Sequence, residues 1–354
     1  MTPLERVIVD RIVGHGPITV AEYMELALYH PEFGYYATRE QRSGRAGDFY
    51  TSVDAGRLFG ACLAQYLASR AQPPPSARFD LVEAGAGNGR LARDILDAAE
   101  RLAPAFYDRI ALHLVERSAA ARTAQPATLG PHVRKLVFSS DRMPRIIRGA
   151  LIANELLDAL PCHVVARGED ELQEMYVTLR DGRFALQPGP LSDPALAAYL
   201  NAVGARLERG WRAEVSLAAR DWVREASRAL EAGELLIFDY GHAARERYSA
   251  AHADGTLVRY AAHRVDTRWL EQPGESDLTA HVDFTTVRQT AEAEHLRLAR
   301  FTDQTRFLLD AGITERLPTG AALADVRARL AARTLLAPEG LGGTIKVMIL
   351  VRDA

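Results

Sequence analysis

One segment limits the fold of this chain more than any other: Asp80-Leu-Val-Glu83-Ala-Gly85-Ala86-Gly87-Asn88-Gly89-Arg90. A short apolar run ends in an acid and passes through three glycines at alternate positions into helical spacing. Such a run reads as a buried strand, and the glycines let the backbone turn sharply and leave room where a Cβ would stand, so that a ligand can approach the main chain. Further apolar runs over Ala111 to Glu116, Lys135 to Phe138, Leu151 to Asn154 and Leu235 to Tyr240 repeat the strand pattern begun at Phe79 to Glu83. Between the first two, Leu91, Ile95, Leu96, Ala99 and Leu102 form the apolar face of a crossover helix. This alternation predicts βαβ units and a parallel sheet, which Arg297 to Phe301 and Thr344 to Val351 complete as an edge pair.

The regions flanking these units differ in rhythm. Leu4, Val7, Ile8 and Ile12, then Val20, Met24 and Leu28, then Leu58, Leu63, Tyr66 and Leu67 follow helical spacing, so the first 70 residues read as mostly helical. The prolines of Gln72-Pro-Pro-Pro-Ser-Ala77 predict a boundary near residue 75. After Pro161 the runs His163 to Val165, Leu172 to Val177 and Arg183 to Leu186 read as short antiparallel strands, an insertion, and residues 193 to 230 return to helical spacing. A chain of 354 residues has room for two domains or one enlarged one. With 43 basic against 46 acidic residues it has no positive field for nucleic acid or an anionic membrane. No apolar run approaches the roughly 18 residues of a membrane span, and no signal peptide is evident at Met1, so no membrane insertion and a cytoplasmic location are expected. Only Lys135 and Lys346 are lysines, leaving almost nothing for Schiff-base chemistry. Cys62 and Cys162, a hundred residues apart, read as core thiols without zinc-ribbon spacing.

The chemistry concentrates at strand ends. A dinucleotide fingerprint of the G-x-G-x-x-G kind would place its third glycine at position 90, where this chain has Arg90. The acid followed by G-x-G-x-G is instead similar to the first motif of class I S-adenosylmethionine methyltransferases; dinucleotide binding and a plain tight turn are the alternatives. Glu116, 33 residues after Glu83, sits where a carboxylate would accept ribose hydroxyls, or else is a solvated strand-end acid. Ser139, Ser140 and Asp141 could reach an adenine edge. Asn154, Glu155 and Asp158 in Ala153-Asn-Glu-Leu-Leu-Asp-Ala-Leu-Pro161 fall at the carboxyl end of the fourth strand. Two carboxylates there can orient a guanidinium and localise its charge, and the same residues also suit a helix start. In Gly47-Asp48-Phe-Tyr-Thr51-Ser52 the last two suit a helix cap, and His281, flanked by Asp277, Thr279 and Asp283, reads as a hydrogen-bonded site group; no spacing supports a metal.

Taken together the motifs resemble one family, the MidA-like S-adenosylmethionine-dependent methyltransferases, whose mitochondrial members assist assembly of respiratory complex I. The resemblance is carried by His30-Pro-Glu-Phe-Gly-Tyr-Tyr36, Gly47 to Ser52, Glu83 to Gly89, Ala153 to Pro161, Phe238-Asp-Tyr-Gly241 and Asp277-Leu-Thr-Ala-His-Val-Asp-Phe284. It departs from the family at Leu341-Gly342-Gly343-Thr344 and in the proline-rich segment. It implies an α/β fold of the class I methyltransferase, Rossmann-like kind: a seven-stranded sheet with helices on both faces, a helical N-terminal extension and an α+β insertion after the fourth strand. The implied organisation is 1–75 packing on the cofactor site, 76–161 and 233–354 as the core, and 162–232 as an insertion meeting the acceptor or a partner. S-adenosyl-L-methionine is the implied cofactor, held by Glu83, Gly85, Ala86, Gly87, Asn88, Gly89, Glu116, Asn154, Asp48 and Thr51. Glu155, Asp158 and His281 are the implied catalytic residues, and a protein arginine, in a respiratory-complex subunit, is the implied acceptor. A small-molecule acceptor, or an assembly factor that binds the cofactor without transfer, are the other readings.

Overall fold

The computed structural model describes residues 1–38, 51–71, 77–261 and 264–353. Asp48 and the prolines of the expected boundary near residue 75 lie outside the described residues. The chain forms two compact units, one of Tyr50–Leu156, Arg224–Tyr240 and Ala291–Ala354, the other of Met1–Phe49, Leu157–Val223 and Gly241–Thr290.

The first unit is organised on a sheet whose strands are β1 (Phe79–Ala84), β2 (Ile110–Val115), β3 (Leu136–Ser140), β4 (Ile147–Asn154), β5 (Leu230–His242), β6 (Arg297–Asp303) and β7 (Ile345–Arg352). Their order across the sheet is β3-β2-β1-β4-β5-β7-β6. The first five pair in parallel, whereas β7 runs antiparallel to both β5 and β6. The α/β class implied by the resemblance is therefore present, and the sheet gains an eighth strand where Val282–Asp283 pairs in parallel with the end of β5. The chain turns to opposite sides of the sheet after β1 and β4, and the crevice beyond the carboxyl ends of such strands is where ligands bind in open α/β sheets.

Helices α1 (Leu58–Arg70), α2 (Arg90–Leu102) and α3 (Ala119–Leu129) accompany these strands. Leu91, Ile95, Leu96 and Ala99 of α2 are buried in one core with Leu81, Leu112, Ile152 and Phe238 of the strands. Each of these leucines and isoleucines contributes roughly 1.5–3 kcal/mol relative to leaving it in water. Leu102, placed on the same face by its spacing, is 42% exposed, because it is the last residue of the helix. Phe59 of α1 meets Phe238 of β5 edge to face at 5.4 Å. Cys62 is a buried free thiol of this core.

The second unit begins with the expected N-terminal helices, Pro3–His15 and Val20–Tyr29. Thr2 and Glu5 form a capping box on the first, a device worth about 1 kcal/mol. Leu4, Ile8, Tyr23, Met24 and Leu28 share a core with Cys162, Val164 and Val177, the second buried free thiol among them. An antiparallel sheet runs in the order Ile18–Thr19, Leu172–Arg180, His163–Arg167, Arg212–Val215, with Arg183–Gly189 paired to Leu172–Arg180. The helical reading of residues 193 to 230 is corrected by Arg212–Val215, a strand between helices Ala195–Ala202 and Leu217–Ala229. A charge hid it from the pattern: Glu214 is buried in this strand as the partner of Arg247, whose guanidinium contacts its carboxylate directly. No helix among the described residues is long and apolar enough to cross a membrane.

Candidate functional site

In the first unit the glycine segment joins β1 to α2. Gly85, Gly87 and Gly89 have φ of 70°, 52° and 85°, a left-handed conformation that a side chain disfavours at each. The N–H groups of Gly85 and Ala86 donate to the Val115 carbonyl at 2.9 and 3.1 Å, which ties the bend to the end of β2. Asn88 follows in the bend, and Gly89 caps α2 with its N–H on the Ala86 carbonyl at 2.8 Å. A Cβ built on Gly87 meets nothing within 4 Å, so open space lies over the crest.

Two buried acids brace the bend. Glu83 at the end of β1 accepts the Ala92 N–H of α2 at 3.0 Å. Burial pushes its pKa up to about 8 against the opposing pull of that N–H, with Glu116 and Asp94 adding to the rise. Glu116 accepts the Gly87 N–H on one oxygen at 2.8 Å and the Ser118 N–H on the other at 2.7 Å. Gln125 of α3, fully buried, donates to the Gly87 carbonyl at 2.8 Å and accepts the Ser139 hydroxyl at 2.7 Å. Ser139 thus reaches the bend through Gln125, while Ser140 accepts the Arg142 N–H and donates to Asp141.

At the end of β4 the chain makes a left-handed turn on a residue that is not glycine. Glu155 has φ 51°, a conformation costing about 1–3 kcal/mol for a residue of this kind, so the surroundings must enforce it. They do so through the Glu155 N–H on the Phe238 carbonyl at 2.8 Å and the Leu156 N–H on Asp239 at 3.1 Å. The Glu155 carboxylate accepts the Ser52 N–H at 3.1 Å and the Asn154 side-chain amide at 3.2 Å. Burial, then Asp239 and Asp54, push its pKa up to about 8 against the two hydrogen bonds. The Asn154 Oδ1 is buried with no hydrogen-bond partner among the described residues.

Thr51 and Ser52 do not cap a helix, contrary to the sequence expectation: α1 starts at Leu58, and Arg57 precedes it without a side-chain cap. Thr51 instead closes a turn on Asp54 through its N–H and hydroxyl, at 3.0 and 2.9 Å. Arg90, the first residue of α2, pairs with Asp54 at 2.8 Å. Ser52 donates its hydroxyl to Gln304 at 2.8 Å. The structure therefore gathers Glu83, Gly85, Ala86, Gly87, Asn88, Gly89 and Glu116 around one bend, and Asn154 and Glu155 at the next strand end. Gln125, Asp54 and Arg90 were missed by sequence reasoning. A fully buried glutamine on a helix had no recognisable spacing, and Arg90 was read only as an absent glycine.

In the second unit Asp158 is buried and accepts the Ala280 N–H on its main-chain carbonyl at 2.9 Å. It lines a cavity of about 20 Å³ together with Cys162, Tyr199, Glu214, His281 and Asp283. His281 does not hydrogen-bond the acids that flank it in sequence. Asp277 accepts the Tyr36 hydroxyl at 2.8 Å, and Asp283 caps the following helix through the Thr285 and Thr286 N–H groups. The His281 ring instead meets His242, with Nδ1 and Nε2 3.2 Å apart, and His252 stands beside both. Burial, Arg247 and the two neighbouring imidazoles depress its pKa to about 4.

The profile of a family described as S-adenosyl-L-methionine-dependent methyltransferases matches residues 61–302. The chain is 31% identical to the mitochondrial protein arginine methyltransferase NDUFAF7 of Bos taurus over 90% of its own length and 75% of that protein. It is also 31% identical to the mitochondrial homologue from Drosophila melanogaster, over 80% of its own length and 68% of that protein. A crystal structure of a Burkholderia thailandensis protein bound to S-adenosylhomocysteine superposes with a TM-score of 0.90 at 30% identity, covering 99% of this chain and 92% of that one. The expectation of a cytoplasmic location is overturned by these relatives, both of which are mitochondrial by name.

Proposed function

The chain belongs to this family of S-adenosyl-L-methionine-dependent methyltransferases, and we propose that its acceptor is a guanidinium nitrogen of an arginine in a protein. When bound, the cofactor supplies an electrophilic methyl group on a sulfonium sulfur. The observation that carries the acceptor reading is Glu155, a carboxyl fixed in an enforced left-handed turn with its pKa pushed up to about 8. A guanidinium arriving beside such an acid removes much of the penalty for its charge. The resulting carboxylate would align the planar cation and bias its charge toward the paired nitrogens, leaving lone-pair character on the one that attacks. The names of the relatives, protein arginine methyltransferases, support the same acceptor. The resemblance extends it to a respiratory-complex subunit.

Three features support the fit of the cofactor. The space over Gly87 lets a ligand lie against the main chain. Asn154 Oδ1, a buried acceptor lacking a donor among the described residues, suits the ammonium of an amino acid. The Glu116 oxygens each accept one N–H and keep lone pairs for ribose hydroxyls. We assign Gly85, Ala86, Asn88 and Gly89 to the shape of the bend and Glu83 to its anchoring on α2. Thr51 acts through Asp54 and Arg90 on the start of that helix.

Radiolabelled methyl donor added with the purified chain to lysate of cells lacking it tests the acceptor. Label recovered as methylarginine after hydrolysis of a protein band is expected. Label confined to small molecules, or absent, overturns the reading. Asp158→Asn examines the second carboxylate of the motif on its own, in the same assay.

A further inference from the structure

We propose that His242, His252 and His281 form a binding site for a divalent transition-metal ion of the zinc class. They come from three separate segments: the end of β5, the one-turn helix Ala250–His252, and the turn between strands Asp277–Thr279 and Val282–Asp283. Parallel pairing of Gly241 with Val282 and of His242 with Asp283 fixes the first beside the third. The ring centroids stand 4.7, 5.1 and 5.9 Å apart, and one ring nitrogen from each lies within 4.8 Å of the other two.

The spacing suits an ion. Tetrahedral zinc with Zn–N bonds of about 2.0–2.1 Å separates its ligand nitrogens by about 3.4 Å. The His242 Nε2 to His281 Nδ1 distance of 3.2 Å already matches one edge of that tetrahedron. His252 is half-buried on a three-residue turn, and a rotation of its side chain would close the remaining gap. Glu246 lies 3.0 Å from the other nitrogen of His242. Nδ1 makes no hydrogen bond among the described residues in this geometry, and at that distance the carboxylate is placed to become the outer partner that metal-bound histidines commonly have.

The turn carrying His281 is held as well. Its N–H donates to the Thr256 hydroxyl at 3.0 Å, and its carbonyl accepts from Arg247 at 3.1 Å. Three imidazoles without a carboxylate ligand disfavour calcium and magnesium, which take oxygen donors, and suit zinc and its neighbours. All three histidines are half-buried, so the cluster is neither sealed in the core nor fully in solvent.

The test is titration of the chelator-stripped full chain with zinc chloride alone by calorimetry, and with cobalt(II) followed by visible absorption. One ion per chain is expected, with the intense cobalt bands of a tetrahedral nitrogen-rich site. His252→Ala is expected to weaken binding by at least about tenfold, and Glu246→Gln by a smaller factor. S-adenosylmethionine affinity within threefold of wild type in the same preparations shows that the variants are folded. No stoichiometric zinc binding by wild type, or unchanged binding in His242→Ala/His252→Ala, overturns the proposal. If the double variant fails to fold, the wild-type cobalt spectrum decides: weak bands of a hydrated octahedral ion count against the site.

Discussion

The glycine bend and the histidine trio are built in opposite ways. The bend offers main chain: seven consecutive residues, three of them left-handed, with space over Gly87 and side chains that brace it from beneath. The trio offers side chains: three rings brought together by segments 39 residues apart at their extremes, 242 and 281, on ordinary backbone. A ligand that must lie flat against peptide groups needs the first construction, because only a missing Cβ lets it approach. A small ion needs only a few lone pairs converging on a point, and the second supplies them. The sensitivity to substitution should differ accordingly. The bend should suffer most from an added side chain, and the trio from a removed one.

The largest effect is expected where a side chain is added. Gly87→Val puts a β-branched residue at φ 52° and fills the open space over the crest. Calorimetry should show S-adenosylmethionine affinity falling by about a thousandfold or more, the order of 4 kcal/mol, while circular dichroism stays native. Affinity within about tenfold of wild type would show that the bend is not a main-chain site. Next comes Glu155→Gln, expected to lower methyl transfer by about a hundredfold with cofactor affinity within about threefold. In wild type, kcat/KM should rise with pH up to about 8 as Glu155 ionises, and this limb should vanish in the variant. Full turnover in Glu155→Gln would remove the acceptor assignment. Glu116→Gln keeps one oxygen acceptor and loses the charge, so a loss of cofactor affinity near tenfold is expected, about 1.4 kcal/mol. If Glu116→Gln harmed binding more than Gly87→Val, the side chains rather than the main chain would be the principal binding groups.

The same contrast explains what was legible. The strands from Phe79, Ile110, Ile147 and Leu230 were visible because burial on both faces makes parallel strands into apolar runs, and the bend was visible because left-handed backbone selects glycine locally. Arg212–Val215 was hidden because its inward position carries Glu214, a charge that becomes tolerable only beside Arg247, 33 residues away. His281 was singled out for its flanking acids, yet its ring partner is His242, and sequence spacing carries no record of which strand ends meet. Gln125 was invisible for a related reason: its value lies in reaching Gly87 and Ser139 at once, from a helix whose other residues follow no motif. Local conformation writes itself into neighbouring residues, whereas convergence of distant side chains does not.

The smallest effect concerns the acid beneath the bend, and its sign separates bracing from binding. Glu83 has a pKa of about 8 in the folded chain against an ordinary value of 4.5, so between those limits the folded state retains a proton that the unfolded chain has released. Stability from this group is therefore full below about pH 4.5 and declines as pH rises toward 8, by at most about 1.4 kcal/mol per pH unit for one proton. Glu155 shifts the same way and adds its own decline. Glu83→Gln stays neutral at every pH and retains an oxygen for the Ala92 N–H, so urea denaturation at pH 5 and pH 8 should show a smaller fall in stability than wild type. An equal fall in both proteins would mean that Glu83 ionises freely in the folded chain and that burial does not govern it. Because the change acts on the anchoring of α2 and leaves Gly87 open, cofactor affinity at pH 6 should move by less than about threefold. A larger loss would place the Glu83 carboxyl among the binding groups and erase the division between the main chain that receives the ligand and the side chains that hold the bend in shape.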